Sequence, residues 1–140
     1  MSKTLEFRRH KTLGEKQMSV RPTILVVEDD PLVRITVSEM LSDHDFPVIT
    51  AGSADEGLGV LRHREDIATV ITDVIMPGTL DGLGLVSEIR RRWPAKRVIV
   101  ASGRMPAEAA ANAPGTIFLA KPFGEVSLLN AVETALQAHA

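Results

Sequence analysis

The stretch ILVVEDDP, residues 24–31, places three acidic residues directly after an unbroken apolar run. Four consecutive apolar residues predict a strand that is buried on both faces. Glu28, Asp29 and Asp30 follow where such a strand leaves the core, and three neighbouring carboxylates repel one another. The stretch therefore indicates either a solvated loop or a site that attracts positive charge.

The composition limits the classes of protein to which the chain can belong. Its 140 residues are 44% hydrophobic with a formal net charge of −2, which suits one domain with its own core. The absence of cysteine excludes disulfides, thiolate metal sites and a cysteine nucleophile. No apolar run approaches the roughly 20 residues of a membrane-spanning helix, and no signal peptide is evident. We expect a soluble, cytoplasmic protein without a membrane partner.

Residues 1–20 differ in charge from the rest of the chain. They contain five basic and two acidic residues, which gives +3 and leaves −5 for residues 21–140. Their few apolar residues, Leu5, Phe7 and Leu13, follow no sustained period, so we interpret residues 1–20 as a basic, mobile extension. A basic arm that contacts nucleic acid or a membrane is the alternative, which a charge of only +3 disfavours. The folded domain is expected to span residues 21–140.

A second basic cluster lies within the domain and comprises Arg90, Arg91, Arg92, Lys96 and Arg97. The whole chain has only one Trp and four Phe, so this cluster lacks the aromatic side chains on which nucleic-acid bases stack. We interpret the cluster as cations at a helix C-terminus, where they suit the helix dipole. The sequence therefore predicts no nucleic-acid partner.

From residue 23 onward, short apolar runs alternate with segments of helical periodicity. Strands are predicted over TILVVE (23–28), FPVITA (46–51), IATVITD (67–73), RVIVAS (97–102) and TIFLA (116–120). Helices are predicted from Pro31, after a Ser53 to Glu56 capping box, over residues 81–93, over an alanine-rich segment at 107–113, and over 124–137. Asp30 and Asp81 are interpreted as N-caps. This alternation predicts a doubly wound α/β domain with a parallel sheet between two helix layers.

In such a sheet, ligands bind beyond the carboxyl ends of the strands. The polar residues there are Glu28, Asp29, Asp73, Ser102 and Lys121. Converging carboxylates suit Mg²⁺, and Asp29 and Asp73 are the candidate ligands. A carboxylate beside a divalent cation can also attack phosphorus, while a Lys ammonium and a Ser hydroxyl can contact the phosphoryl oxygens. Taken alone, Ser102 is equally well explained by turn chemistry, and Lys121 by a solvated loop.

Four motifs occur in order: VVEDD, then TDVIMPGTLDG around Asp73, then VIVASG, which contains Ser102, then FLAKPF with Lys121. Together they resemble the receiver domain of two-component response regulators, over residues 22–138. The resemblance implies a flavodoxin-like, five-stranded parallel sheet in the order 2-1-3-4-5, flanked by about five helices. It also implies a phospho-accepting signalling domain rather than an enzyme.

The resemblance assigns a role to each site residue. Asp73 is expected to be the phospho-acceptor, and Mg²⁺ (or Mn²⁺) is expected to bind Asp29, Asp73, the backbone carbonyl of Ile75 and, through water, Glu28. Lys121 is expected to pair with the phosphoryl group. The resemblance makes Ser102 the switch hydroxyl, and Phe118, which we expect to be a core residue, the switch aromatic.

The implied partners are a sensor histidine kinase or histidine phosphotransfer protein as the phosphoryl donor and a downstream protein as the target. A homodimer is also compatible with the resemblance. No DNA-binding or catalytic segment follows the last predicted helix, so we expect a single-domain regulator. The alternatives are the receiver portion of a hybrid kinase and a phosphorylation-independent docking module, although such a module is expected to lack an acid or the lysine.

Three features depart from the common receiver pattern. MPGTLDG, residues 76–82, is one residue longer than usual. The span between Ser102 and Lys121 is short and contains Pro106 and Pro114, so the fourth helix is expected to be short or irregular. Phe118 lacks the hydroxyl that a tyrosine would bring, so its alternative positions are expected to differ only in burial.

Two other classes of protein explain the sequence less well. A haloacid-dehalogenase-type phosphatase also uses an aspartate nucleophile but has a second acid two positions later, where this chain has Ile75. A flavodoxin-type FMN carrier binds phosphate near the end of its first strand, where three carboxylates would repel it. The four histidines show no ligand spacing and are interpreted as solvated: His10, His44, His63 and His139.

Overall fold

The apolar runs form one parallel sheet. The computed structural model describes residues 21–74, 76, 78, 80–103 and 115–137. The strands are β1 (Thr23–Val27), β2 (Val48–Ala51), β3 (Ile67–Asp73), β4 (Arg97–Ser102) and β5 (Thr116–Ala120). Their order is β2-β1-β3-β4-β5, and all neighbouring strands are parallel. The predicted doubly wound sheet and its strand order are confirmed.

Helices connect the strands and cover the sheet on both faces. They are α1 (Pro31–Ser42), α2 (Ala54–His63), α3 (Gly82–Arg92) and α4 (Glu125–Gln137). The predicted alanine-rich helix, with Pro106 and Pro114 around it, lies outside the described residues, as do residues 1–20. Among the residues that the structure describes, no helix is long and apolar enough to cross a membrane.

The helices begin where the sequence predicts. An Asp30 carboxylate oxygen accepts hydrogen bonds from the first backbone N–H groups of α1, and the Asp81 carboxylate accepts one from Gly84. The Ser53 hydroxyl accepts one from the backbone N–H of Glu56, whose carboxylate accepts from Gly52. Side-chain oxygens thus satisfy backbone donors that a helix start leaves open. The last turn of α3 carries Arg90, Arg91 and Arg92, as the dipole interpretation predicts.

The sheet separates two hydrophobic clusters, because neighbouring residues of a strand point to opposite faces. One cluster packs strand residues such as Leu25 and Val100 against α2 and α3, which contribute Leu58, Leu61, Leu85 and Ile89. The other packs Ile24 and Ile99 against α1 and α4, which contribute Val37, Leu41, Leu128 and Val132. A Cβ atom at Gly57 of α2 would lie 2.9 Å from Val27, so this glycine lets the helix approach the sheet closely.

The expectation that Phe118 belongs to the core is wrong. Phe118 is 38% exposed, whereas its neighbours Ile117 and Leu119 pack in the cluster under α1 and α4. The pleat of β5 directs Phe118 to the other face of the sheet, and β5 is an edge strand with a partner strand on one side only. Residue type alone predicted burial, but strand position determines the exposure.

Candidate functional site

The register of the sheet brings the polar residues of four strand ends to one edge. Val27 pairs with Thr72, and Glu28 and Asp73 are the residues that follow these two. Asp73 in turn pairs with Ala101, next to Ser102. Beyond the last pair of β4 and β5, the backbone N–H of Lys121 donates to the Ser102 carbonyl over 3.0 Å. The structure therefore brings these residues together at the carboxyl edge of the sheet.

Glu28, Asp29 and Asp73 form an acidic cluster. Each offers a carboxylate oxygen, and these three oxygens lie within 4.8 Å of one another. Glu28 is buried and the Asp73 side chain is 16% exposed, whereas Asp29 lies open to solvent. Closely spaced oxygen donors with one open side fit Mg²⁺ or Mn²⁺, because these ions prefer oxygen ligands and Mg²⁺ usually retains several waters.

Lys121 reaches into the acidic cluster from the end of β5. Its ammonium lies 2.9 Å from Asp73 Oδ2 and 3.4 Å from Glu28 Oε1. Burial by itself lowers the pKa of Lys121, but hydrogen bonding and charge from Asp73 and Glu28 outweigh burial and raise this pKa above 10.5. Lys121 is therefore charged at neutral pH, and one cation faces three carboxylates.

Glu28 is the most buried acid of the cluster. Burial raises its pKa above 4.5, and the charge of Asp73 acts in the same direction. The backbone N–H of Asp30, 3.1 Å from Glu28 Oε2, and the ammonium of Lys121 oppose this rise without cancelling it. The ionised carboxylate of Glu28 is thus held at an energetic cost, which a further positive charge in the cluster would reduce.

Asp73 is oriented through both of its carboxylate oxygens. Oδ1 accepts the backbone N–H of Val74 over 2.7 Å, and Oδ2 accepts from Lys121. The start of α3 packs directly behind it: a Cβ atom at Gly82 would lie 1.7 Å from the Asp73 carbonyl oxygen, and the Gly82 N–H donates to the Val74 carbonyl. This position accepts glycine only, because a side chain would overlap the backbone that carries Asp73.

Two supporting residues of the site were not predicted from the sequence. Gly82 was assigned only to a helix start, and Arg34 was given no role. The guanidinium of Arg34 donates to the backbone carbonyl of Glu28 over 2.8 Å and braces the turn from β1 into α1. Its separation of six residues from Glu28 is not a helical contact spacing, so no local signal indicated this bond.

The other predicted residues have different outcomes. Ser102 is buried at the end of β4, beside Lys121 in the sheet register, whereas Ile75 lies outside the described residues. Asp30 caps α1 as predicted. His44 pairs with Glu125, and His63 contacts the Gly59 carbonyl, so neither joins the acidic cluster. His10 and His139 lie outside the described residues.

The fold and the site together define a doubly wound α/β domain with an acidic, lysine-containing pocket at the carboxyl edge of its sheet. The chain belongs to the response regulator receiver domain family, whose model matches residues 24–133. The resemblance seen in the four sequence motifs is thereby confirmed. The family is that of phospho-accepting signalling domains of two-component systems.

Relatives of the chain include longer regulators. It is 37% identical over 124 residues to the transcriptional regulatory protein GlrR of Escherichia coli. The aligned region covers 86% of this chain but only 28% of GlrR. It is 33% identical over 117 residues to the transcriptional regulatory protein PdtaR of Mycobacterium tuberculosis, covering 81% of this chain and 56% of PdtaR. The chain thus spans only part of these relatives, with which it shares the receiver region.

Solved structures of isolated receiver domains match over nearly their whole length. A receiver domain protein from Clostridium thermocellum superimposes with a TM-score of 0.77 at 30% identity, covering 84% of this chain and 96% of the other. The receiver domain of NtrX from Brucella abortus superimposes with a TM-score of 0.74 at 35% identity, covering 81% and 98%. Both comparisons support the fold and the family.

Proposed function

We propose that this domain accepts a phosphoryl group on Asp73 from a phosphohistidine of a sensor histidine kinase or histidine phosphotransfer protein. The observation that carries the proposal is the position of the Lys121 ammonium, 2.9 Å from Asp73 Oδ2 and within the acidic cluster of Glu28 and Asp29. A docking module without phosphoryl chemistry would have no need for this arrangement, because a partly buried lysine among three acids contributes little to a protein interface.

The proposed transfer is a substitution at phosphorus. A lone pair of an Asp73 carboxylate oxygen forms the new O–P bond, and the P–N bond to the donor imidazole breaks in line with it. The bonding electrons leave with the imidazole nitrogen, and the product on this chain is an acyl phosphate. Val74 and Lys121 orient the carboxylate, and Lys121 offsets negative charge on the phosphoryl oxygens.

Asp29 and Asp73 are the proposed direct ligands of Mg²⁺, with Glu28 acting through a water and the Ile75 carbonyl as a further ligand. When bound, this ion supplies positive charge that neutralises the attacking and transferred oxygens. The acidic cluster fits the role because it holds three acids against one lysine. Asp29, the exposed member, lies on the side open to solvent.

We further propose that phosphorylation shifts the domain between two arrangements. Ser102 and Lys121 neighbour each other in the sheet register, and each offers a hydrogen-bond donor to a phosphoryl oxygen. Phe118 lies two residues before the end of β5 and is exposed enough to change its position. A change there alters the surface that a downstream protein contacts. Lys121→Ala is expected to permit phosphate uptake but to block the switch.

The deciding experiment is intact-mass measurement after incubation with Mg²⁺ and acetyl phosphate. A single labile adduct of one phosphoryl group is expected for the natural sequence and is expected to be absent with EDTA or in Asp73→Asn. Asp66→Asn is the matched control, because Asp66 lies at the opposite end of β3. This substitution is expected to leave phosphate uptake unchanged. An adduct that persists in Asp73→Asn would refute the assignment of the acceptor.

A further inference from the structure

A groove of about 550 Å³ opens beside the site. Its walls are Leu32, Val33, Thr36, Val37 and Met40 of α1 and the segment 121–123. We refer to it as the α1 groove. Most of these side chains are apolar, and Leu32 at its rim is 73% exposed. Exposed apolar surface of this kind is a typical docking site for a chain segment.

We propose that the α1 groove is occupied by the N-terminal segment of this same chain, with Leu5 and Phe7 as its apolar anchors. This inference goes beyond the proposed function and does not depend on phosphorylation of Asp73. It rests on three observations about the described residues: where the chain enters the domain, how far the segment can reach, and how charge is distributed along α1.

The first described residue, Arg21, has its side chain on the side of the sheet that carries the α1 groove. The Arg21 guanidinium lies 4.4 Å from the ring centroid of Phe46 and 3.1 Å from the Glu133 carboxylate on α4. Phe46 belongs to the hydrophobic cluster that packs under α1 and α4. The side chain of Arg21 therefore packs on the face of α1 and α4 rather than on that of α2 and α3.

The segment is long enough to reach the groove. Arg21 precedes β1 at the amino edge of the sheet, and α1 runs back to that edge from the acidic cluster. The 12 residues of α1 span about 18 Å. The chain from Phe7 to Val20 can extend over about 45 Å. Phe7 and Leu5 can therefore reach any part of the groove.

The charges beside the groove also favour binding of the basic N-terminal segment. Glu39 of α1 and Asp43, the C-cap of α1, follow the groove residues Thr36 and Met40 by three positions, so they flank the groove. Both acids are exposed, and neither side chain forms an ion pair within the described part of the chain. A segment that runs from Arg21 along α1 brings Lys16 and Lys11 past these acids before Phe7 reaches the groove. A charge of +3 on residues 1–20 complements them.

Paramagnetic relaxation in the full chain tests the proposal. The chain contains no cysteine, so Thr4→Cys provides a unique site for a nitroxide label. Enhanced relaxation is expected at the amides of Val33, Thr36 and Met40, and not at those of α2 and α3 on the other face. Equal enhancement on both faces would overturn the proposal.

Matched substitutions separate docking from mere proximity. Leu5→Ser with Phe7→Ser keeps the charge and is expected to abolish the enhancement along α1, whereas Thr12→Ser with Gln17→Ser is expected to retain it. Glu39→Gln with Asp43→Asn is expected to weaken docking by about twofold to fivefold at low salt, as exposed ion pairs do. An enhancement that survives loss of both anchors would overturn the proposal.

A mixed sample identifies the molecule that provides the segment. Chains carrying the label but no ¹⁵N are combined with ¹⁵N-enriched chains without the label. No enhancement is expected in this mixture if each chain occupies its own groove. An enhancement along α1 in the mixture, at the strength seen within one chain, would assign the groove to a second copy and overturn the proposal.

Discussion

Strand β3 has an aspartate at each end, and the two differ in charge balance and exposure. Asp66, just before β3, accepts two short hydrogen bonds from the Arg64 guanidinium and one from the Thr23 hydroxyl, and its side chain is half exposed. Asp73, the last residue of β3, is largely buried and shares the ammonium of Lys121 with Glu28.

The two aspartates differ in how completely the protein neutralises their negative charge. Asp66 has a bidentate partner of its own, so the pair is neutral and solvated. At the other end, three acids share one lysine and leave an excess of negative charge, and two of these acids, Glu28 and Asp73, have little contact with water. Negative charge that the protein itself does not neutralise attracts a divalent cation, and that cation would offset the charge of an incoming phosphoryl group. Four predictions test this contrast.

The largest expected effect comes from steric crowding behind Asp73. Gly82→Ala places a Cβ atom within 1.7 Å of the Asp73 carbonyl oxygen, so we expect a loss of about 3 kcal/mol of unfolding free energy in urea denaturation. Gly59→Ala in α2 is the control, because no atom lies within 4 Å of its added Cβ atom, and a gain of about 1 kcal/mol is expected. A tolerated Gly82→Ala would contradict the close packing at this end of β3.

The next effect concerns the affinity for Mg²⁺. Lys121→Met removes the cation that neutralises part of the acidic cluster, so we expect Mg²⁺ to bind about tenfold more tightly at low ionic strength. Arg64→Met, at the other end of β3, is expected to leave the affinity unchanged. Isothermal titration of metal-free protein measures both. Weaker binding to Lys121→Met would show that the excess of acids over lysine does not control cation binding.

The pH dependence of stability separates the two ends further. Because burial raises the pKa of Glu28, the contribution of Glu28 to stability declines as pH rises from 4.5 through its folded pKa. In EDTA, Glu28→Gln is therefore expected to gain stability relative to the natural sequence as pH rises from 4.5 to 7. Urea denaturation at several pH values measures the difference in unfolding free energy between the two proteins. A difference that stays constant from pH 4.5 to 7 would contradict the prediction.

The smallest effect is expected from Asp66, whose contribution to stability changes with pH in the direction opposite to that of Glu28. The Arg64 side chain lowers the pKa of Asp66 from 3.8 to about 2, so the contribution of Asp66 to stability is present above pH 3.8 and is lost as pH falls towards 2. Arg64→Gln is expected to remove this dependence. Urea denaturation of the natural sequence and of Arg64→Gln between pH 2 and 5 tests this prediction. If the stability of both proteins falls equally with pH, the Arg64–Asp66 ion pair does not contribute as proposed.

The strands, the helices and the fold class could be predicted from local patterns, whereas the order of strands in the sheet was implied by the resemblance to receiver domains. Strand runs, N-caps such as Asp30 and Asp81, and their alternation depend on residues close together in sequence, and all three features are observed. Phe118 was the exception, because the position of β5 at the sheet edge determines its exposure. The site was predictable as a set of residue types at strand ends, since parallel strands place those ends at one edge.

By itself the sequence determined the order of strands and helices along the chain, the N-caps of α1, α2 and α3, and the residues brought to the carboxyl edge. Only the tertiary structure decided how those residues meet. Lys121 lies 93 positions from Glu28 and 48 from Asp73, yet its ammonium contacts both. Likewise, the overlap that restricts position 82 to glycine and the bond from Arg34 arise from three-dimensional packing. Local patterns encode which residues are present at an edge, but distances between distant segments depend on how the helices pack on the sheet.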